Sequence, residues 1–145
     1  MNIIIGSDHG GFELKETCRK FMETLDDCDV TDAGTFSEDS MDYPLVAHKV
    51  SKAISEGEFE RGILICGTGI GMSVVANRYP GVRACLCHNL FTARLSREHN
   101  DANILVMGGR VIGKGIAIEM VELFLRMSFD GGGRHELRLN LIETD

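Results

Sequence analysis

Five short apolar runs, separated by longer segments of mixed polarity, limit the folds open to this chain more than any other feature. The runs are too short for helices, and their continuous apolar character is typical of strands covered on both faces. They span Ile3–Ile5, Asp29–Asp32, Ile63–Cys66, Arg83–Cys87 and Asn103–Met107. Repetition of strand, helix and strand predicts an α/β fold whose parallel strands are joined by right-handed crossovers.

The intervening segments carry apolar residues at the three- and four-residue spacing of amphipathic helices. One stripe runs from Phe12 to Leu25 and a second from Leu45 to Ile54, and further helices are predicted over Asn89–Glu98 and Gly113–Met127. No linker, repeat or low-complexity tract interrupts the pattern. We therefore expect one domain followed by a C-terminal tail.

Composition and charge narrow the classes of function. The 145 residues include 15 Lys or Arg against 22 Asp or Glu, and the net charge of −7 argues against a nucleic-acid partner. No stretch is apolar over the length of a membrane span, and the first residues lack the basic start of a signal peptide. Five cysteines, an odd number set inside apolar segments, are typical of reduced thiols in a cytoplasmic protein.

The segment Gly62–Gly71 joins a buried strand to a glycine-rich turn through one cysteine, Cys66. A helix can begin at Met72, so the sulfur would lie at the edge of the sheet beside main-chain amides. Helix N-termini and free N–H groups favour negative charge, so this position suits both a thiolate and an oxyanion. The alternative is a small buried cysteine without chemistry, a common role for this residue type.

Known phosphate-loop patterns do not fit this turn. Gly67, Gly69 and Gly71 are spaced too closely for a dinucleotide fingerprint, and no Gly-Lys-Ser/Thr follows them. A cysteine phosphatase would carry an arginine six residues after its cysteine, where this chain has Met72. The histidines are scattered without metal-ligand spacing, so no metal site is predicted.

Polar residues follow the other predicted strands, at the end where parallel sheets bind their ligands. They are found in Ser7–Gly11, at Thr35, in Asp42–Pro44, in Cys87–Asn89 and in Gly108–Arg110. Each has an ordinary alternative: Asp8 can cap a helix, and Arg110 and the tail arginines can be solvated cations. His99 and the tail would lie on the other side of the sheet.

Six motifs in this order resemble the type B ribose-5-phosphate isomerases and the related galactose-6-phosphate isomerase subunits. They are Gly6–Phe12, Asp42–Pro44, Gly62–Gly71, Ala76–Arg78, Ser96–Asn103 and the pair Arg134-His135 with Arg138. The resemblance implies that residues 1–145 form a single sugar-phosphate isomerase domain with a Rossmann-like three-layer α/β sandwich and a five-stranded parallel sheet. It also implies a homodimer with shared active sites, in which the C-terminal tail reaches the partner subunit; a tetramer is the alternative assembly.

The resemblance further implies a reaction and a role for individual residues. An aldose phosphate and a ketose phosphate would interconvert through a cis-enediolate, without metal or cofactor, and Cys66 would be the base. Thr68 would move a proton to the enediolate oxygen, His99 would open the furanose ring, and Asp8 would hold sugar hydroxyls. The other substrate contacts would come from His9, Tyr43, Gly67, Gly69, Ile70, Gly71, Asn100, Arg110, Arg134 and Arg138. Of these residues, His99, Asn100 and the tail arginines would serve the neighbouring subunit.

The expected substrate is ribose 5-phosphate, converted to ribulose 5-phosphate in the non-oxidative pentose phosphate pathway. Isomerisation of a six-carbon sugar phosphate, allose 6-phosphate or galactose 6-phosphate, is the alternative within the family, and a non-catalytic nucleotide-binding module is the alternative outside it. Some relatives carry a glutamate where this chain has Ser73–Val75, which leaves Cys66 without a rival base. Three glycines precede Arg134, one more than in other members.

Overall fold

The predicted sheet is present, with five parallel strands, in the computed structural model of the chain, which describes residues 1–142. The strands are β1 (Asn2–Ser7), β2 (Asp29–Asp32), β3 (Arg61–Cys66), β4 (Ala84–Leu86) and β5 (Ile104–Gly108). Their order across the sheet is β2-β1-β3-β5-β4. The three central strands are buried along almost their whole length, as their continuous apolar runs predict.

The described residues also form helices between and after the strands. These are α1 (Phe12–Met22), α2 (Tyr43–Ser55), α3 (Ile70–Ala76), α4 (Leu90–Glu98), α5 (Lys114–Arg126) and α6 (Arg134–Asn140), with a 3-10 turn at His9–Gly11. The predicted helix start at Met72 was wrong, because α3 already begins at Ile70. Gly69 has a left-handed φ of 79°, and this conformation turns the chain directly from the loop into the helix. None of the helices in the described range has the length and apolar content needed to cross a bilayer.

The helices cover both faces of the sheet, and the right-handedness of the crossovers decides which helix covers which face. The connections β1 to β2 and β4 to β5 cross the sheet toward the β2 side. The connections β2 to β3 and β3 to β4 cross it toward the β4 side. Consequently α1, α4 and α5 pack together on one face, whereas α2 and α3 pack on the other. The predicted three-layer α/β sandwich is confirmed.

One strand, β2, differs from the prediction. A run covered on both faces was expected, but Asp29 and Thr31 are exposed and Val30 is only half-buried. The strand lies at an edge of the described sheet and pairs with β1, in a register that runs from Asn2–Asp29 to Ile5–Asp32. Charged side chains suit this position because they oppose pairing of the edge with another chain.

The topology opens a crevice between the carboxyl ends of β1 and β3. Because α1 leaves β1 toward one face of the sheet and α3 leaves β3 toward the other, the two strand–helix loops diverge. Ligands of open α/β sheets bind at such a switch point. The segments Ser7–Gly11 and Cys66–Gly71 contain these two strand ends and the turns that follow them.

Candidate active site

Three strand ends are packed tightly together at the carboxyl edge of the sheet through glycines. A Cβ atom added to Gly10 would lie 3.2 Å from the amide nitrogen of Gly67, and one added to Gly109 would lie 2.6 Å from the carbonyl oxygen of Gly10. The amide of Gly109 donates to the carbonyl oxygen of Cys66 at 2.8 Å. The loops after β1, β3 and β5 therefore contact one another backbone to backbone, which only glycine allows.

Cys66 ends β3 and is 5% exposed. Its sulfur accepts a hydrogen bond from the amide of Gly69, with an N···S distance of 3.1 Å. The left-handed backbone of Gly69 turns this amide back to the sulfur, and a Cβ atom there would lie 2.5 Å from Leu86 Cδ1. The turn therefore places a main-chain donor against the sulfur of Cys66, at the carboxyl end of β3.

The remaining cysteines, Cys18, Cys28, Cys85 and Cys87, have raised pKa values. Burial raises the pKa of Cys18 to about 12 and the pKa of Cys85 to about 11. Burial also raises the pKa of Cys87 and that of Cys28, the latter together with the negative charge of Asp27. All five cysteines are unpaired, and the described residues bring together no three His, Cys, Asp or Glu side chains that could hold a metal ion.

The amides of the glycine turn divide into two sets. Besides the amide that contacts Cys66, the N–H of Ile70 is used inside the turn, because it donates to Thr68 Oγ1 at 3.3 Å. Within residues 1–142, no protein acceptor faces the N–H groups of Gly67, Thr68 and Gly71. These three amides are the donors that remain for an oxygen atom of a bound molecule.

The loop after β1 contributes Asp8 and His9. Asp8 is 7% exposed, and its Oδ1 accepts the amide of Gly11 at 3.1 Å, so the cap that the sequence offered as an alternative is formed. His9 Nδ1 accepts the amide of Met41 at 3.3 Å. A ring nitrogen that accepts is unprotonated, which puts the proton of a neutral imidazole on Nε2. His9 therefore has an Nε2–H group that can donate to a ligand.

Two side chains from neighbouring elements border the same turn. Tyr43, the first residue of α2, lies against Gly71, where an added Cβ atom would be 2.5 Å from the ring carbon Cζ. Arg110 lies against Gly67, where an added Cβ atom would be 3.5 Å from Nη1. The carboxyl edge thus brings together most of the predicted site: Asp8, His9, Tyr43, Cys66, Gly67, Thr68, Gly69, Ile70, Gly71 and Arg110.

The remaining predicted residues lie at the opposite edge of the sheet. They are His99, Asn100, Arg134 and Arg138. His99 and Asn100 precede β5, whose first residue pairs with Gly62 and whose last residue pairs with Cys66. The four residue steps between those pairs span about 13 Å, so His99 and Cys66 of one chain cannot touch the same small ligand.

The tail helix α6 is attached at this opposite edge by a pair of imidazoles. The rings of His99 and His135 stack with their centroids 4.1 Å apart and their planes 13° from parallel. The pKa of His135 is lowered by desolvation and by the nearby charges of His99, Arg134 and Arg138. Sequence reasoning gave His135 no role, and its place between the two tail arginines was the only signal that could have drawn attention to it.

Comparison with known proteins decides the family. The sequence model of the Ribose/Galactose Isomerase family matches residues 3–142. The chain belongs to this family. Ribose-5-phosphate isomerase B of Escherichia coli is 43% identical to the chain, over 97% of this chain and 93% of the relative. The D-erythrulose-4-phosphate isomerase of Pectobacterium atrosepticum is 38% identical, over 92% of this chain and 88% of the relative.

Solved structures agree with this assignment to the Ribose/Galactose Isomerase family. Ribose-5-phosphate isomerase B of Clostridium thermocellum superposes with a TM-score of 0.94 at 48% identity, covering 98% of this chain and 95% of the other. The resemblance inferred from the six motifs is therefore confirmed, and the chain is an isomerase. An aldose–ketose isomerase moves a proton between neighbouring carbons, a task that calls for a base beside an oxyanion site.

Proposed function

We propose that this isomerase interconverts ribose 5-phosphate and ribulose 5-phosphate through a cis-enediolate, with Cys66 as the base. The observation that carries the proposal is the hydrogen bond from the Gly69 amide to the Cys66 sulfur, next to three amides without a protein acceptor. This one turn would supply both the base and the donors for the enediolate oxygen. We assign the reaction to the non-oxidative pentose phosphate pathway in the cytoplasm, where unpaired cysteines persist.

The hydrogen on C2 of an aldose phosphate is a weak acid, so its removal needs both a base and a stabilised oxyanion. The Cys66 thiolate takes this proton while the carbonyl oxygen on C1 gains charge, which the amides of Gly67 and Gly71 stabilise. Thr68 moves the proton of the C2 hydroxyl to that oxygen, and the Cys66 thiol returns its proton to C1. An acid–base group supplies about 10²–10⁴-fold in rate, and one oxyanion donor supplies about 10²–10³-fold.

The phosphate lies far from the reacting carbons and supplies binding energy that orients the sugar. His9, through its Nε2–H, forms the phosphate site together with Arg134 and Arg138. Arginine suits this role because its paired N–H groups match two phosphate oxygens. The remaining contacts to the sugar come from Asp8, Tyr43, Asn100 and Arg110.

A second copy of the chain completes each site. His99, the donor for ring opening, lies on the opposite edge of the sheet from Cys66, and so do the tail arginines. In a homodimer, His99 and the tail arginines of each chain would lie against the strand ends that carry Cys66 in its partner. Exposed apolar side chains support such an interface. Four residues on α3, on α6 and at the C-cap of α6 are each more than half exposed: Ile70, Val74, Leu137 and Leu141.

Two alternatives concern the length of the sugar. The Pectobacterium relative is named for a four-carbon ketose phosphate, and the family name includes galactose, a six-carbon sugar. All three reactions exchange a proton between C1 and C2 and carry phosphate at the far end. The same residues would therefore serve each substrate, and the depth of the pocket beside Tyr43 would select among them.

An isomerase assay in the presence of EDTA tests the proposal. Ketose formation is followed with ribose 5-phosphate, allose 6-phosphate, galactose 6-phosphate and erythrose 4-phosphate. We expect the highest kcat/KM with ribose 5-phosphate and no effect of EDTA, because no step uses a metal ion. A higher kcat/KM with a four- or six-carbon sugar would reassign the substrate, and loss of turnover in EDTA would contradict the thiol mechanism.

A further inference from the structure

The loop that contains His99 is held in place by two arginines, Arg97 and Arg83, which both donate hydrogen bonds to Asp101. Asp101 Oδ1 accepts a hydrogen bond from Nη1 of Arg97 at 2.8 Å, and Asp101 Oδ2 accepts one from Nη2 of Arg83 at 2.8 Å. Arg83 Nε also donates to the main-chain carbonyl of Asp101 at 2.9 Å. The carboxylate thus bridges α4, which contains Arg97, to the residue that precedes β4.

Arg97 anchors this bridge in the protein interior. It is 2% exposed, and its guanidinium lies 5.8 Å from the centre of the Phe124 ring. Its Nη1 also donates to the carbonyl of Ala102 at 2.5 Å, and its Nε donates to the carbonyl of Met127 at 3.3 Å. A buried guanidinium is tolerated only when its N–H groups are satisfied, so displacement of Asp101 would leave a buried charge unpaired.

The backbone of Asp101 is left-handed, with φ 44°, and Asp101 is the one non-glycine residue in that region within the part of the chain described. Glycine adopts this conformation without strain, so glycine would suffice at this position if only the left-handed backbone were needed. Aspartate adds the carboxylate that fixes both arginines. Strained residues persist where the surroundings hold them, and they cluster at functional sites.

We propose that Asp101, held by Arg97 and Arg83, is a positioning residue that sets the direction in which His99 reaches the partner's sugar. Hydrogen bonds hold the segment on both sides, from the amide of His99 to Leu95 O at 2.9 Å and from the amide of Asp101 to Arg97 O at 3.1 Å. This inference rests on the proposed role of His99 in ring opening. Displacement of His99 slows the opening of a furanose and leaves proton transfer at Cys66 intact.

Two variants and two sugars separate positioning from folding. Asp101→Gly keeps the left-handed turn and removes the carboxylate, whereas Asp101→Asn keeps the shape and part of the hydrogen bonding. Ribose 5-phosphate forms a furanose, but erythrose 4-phosphate cannot, because its phosphate occupies the oxygen that would close the ring. We expect Asp101→Gly to lower kcat/KM for ribose 5-phosphate about tenfold or more while the value for erythrose 4-phosphate holds, and Asp101→Asn, which keeps one acceptor oxygen, to restore part of the loss. Equal losses on both sugars, or no loss on either, would overturn the proposal.

A second readout is independent of turnover. The imidazole NMR signals of His99, assigned by their loss in His99→Asn, report its stack with His135 through ring-current shifts. We expect these signals to move in Asp101→Gly and to move less in Asp101→Asn, with amide signals unchanged away from the residues that contact Asp101, Arg83 and Arg97. Unmoved His99 signals in Asp101→Gly would overturn the proposal. Moved signals in a protein that isomerises neither sugar would uphold the positioning role and count against the proposed function alone.

Discussion

His135 stacks face to face on His99, with the ring centroids 4.1 Å apart, and this contact attaches α6 next to the predicted ring-opening residue. α6 has no buried residue. The tail is therefore held by this stack and by the hydrogen bond from the Asp130 amide to the Glu98 carbonyl, and not by a hydrophobic core. Because Arg134 and Arg138 flank His135, protonation of this ring also affects the predicted phosphate ligands.

Acid should loosen α6. The pKa of His135 lies below its ordinary value of 6.5 when the helix is docked, because of desolvation and of the charges of His99, Arg134 and Arg138. The undocked helix binds a proton more readily, so docking weakens as the pH falls through about 6.5 and does not change above it. Hydrogen-exchange protection factors of α6 should decrease from about pH 7.5 to about pH 5.5.

A variant with a stacking ring that does not titrate is the control for this pH effect. His135→Phe keeps an aromatic face against His99 and removes the ionisable group. The protection factors of α6 should then lose most of their pH dependence. Protection that increases toward acid in the wild-type chain would contradict the lowered pKa.

Cys66→Ala should abolish isomerisation while the protein still binds ribose 5-phosphate. Loss of the base lowers kcat by about 10²–10⁴-fold, and calorimetric affinity should change little because the phosphate contacts are intact. Cys28→Ala is the matched control, since this thiol lies beside Asp27, away from the crevice, and its removal should leave kcat unchanged. Substantial turnover by Cys66→Ala would exclude the thiol as the base.

Gly71→Ala should damage the sugar pocket more than the fold. A Cβ atom there would lie 2.5 Å from Tyr43 Cζ, but Tyr43 is 38% exposed and its ring can move outward. We expect kcat/KM to fall about tenfold, with a change of less than about 1 kcal/mol in the free energy of unfolding. Gly115→Ala, where an added Cβ atom meets nothing within 4 Å, should keep full activity.

A double-mutant cycle tests whether Gly71 acts through Tyr43. If the two residues share one contact, Tyr43→Ala should cost less activity in the Gly71→Ala background than in the wild type. The measured quantity is kcat/KM in the four proteins of the cycle. Fully additive losses would show that Gly71 acts elsewhere, for instance through its own amide.

Local patterns explain what the sequence could predict. The apolar runs of β1, β3 and β5 continue without a polar break, and the glycine turn follows its strand directly, so strand ends and the Cys66 edge could be located in advance. The hydrogen-bond partners of buried charged side chains could not be predicted in the same way, because they are distant in sequence. Arg97 resembles a solvated residue of an amphipathic helix, yet it is 2% exposed and bonded to Met127 O.

Lys15 is a second such case, and it leads to a stability prediction. Its side chain is fully buried, and Nζ donates to Asp32 Oδ2 at 2.6 Å and to Thr35 O at 2.7 Å. Lys15→Met keeps a similar side-chain length but removes the nearer of two cations beside Asp32, since Arg19 Nε lies 3.8 Å from the same oxygen. The free energy of unfolding should therefore fall by about 1.5–3 kcal/mol, the range for a hydrogen bond to a charged group. Lys20→Met, at an exposed position of the same helix, should change it by less than about 0.5 kcal/mol in denaturant titrations. Equal effects of the two substitutions would contradict a structural role for Lys15.

Shared sites make a prediction that no single-chain site can satisfy. Cys66→Ala and His99→Asn each remove one member of every site in their own homodimer, so both homodimers should be inactive on ribose 5-phosphate. In a heterodimer of the two, one site combines the intact Cys66 of one chain with the intact His99 of the other, and its second site carries both lesions. A heterodimer purified through two different affinity tags should therefore recover about half of the wild-type kcat. An inactive heterodimer would mean that Cys66 and His99 act within one chain, which the pairing of β3 with β5 opposes, because it holds the two residues on opposite edges of the sheet.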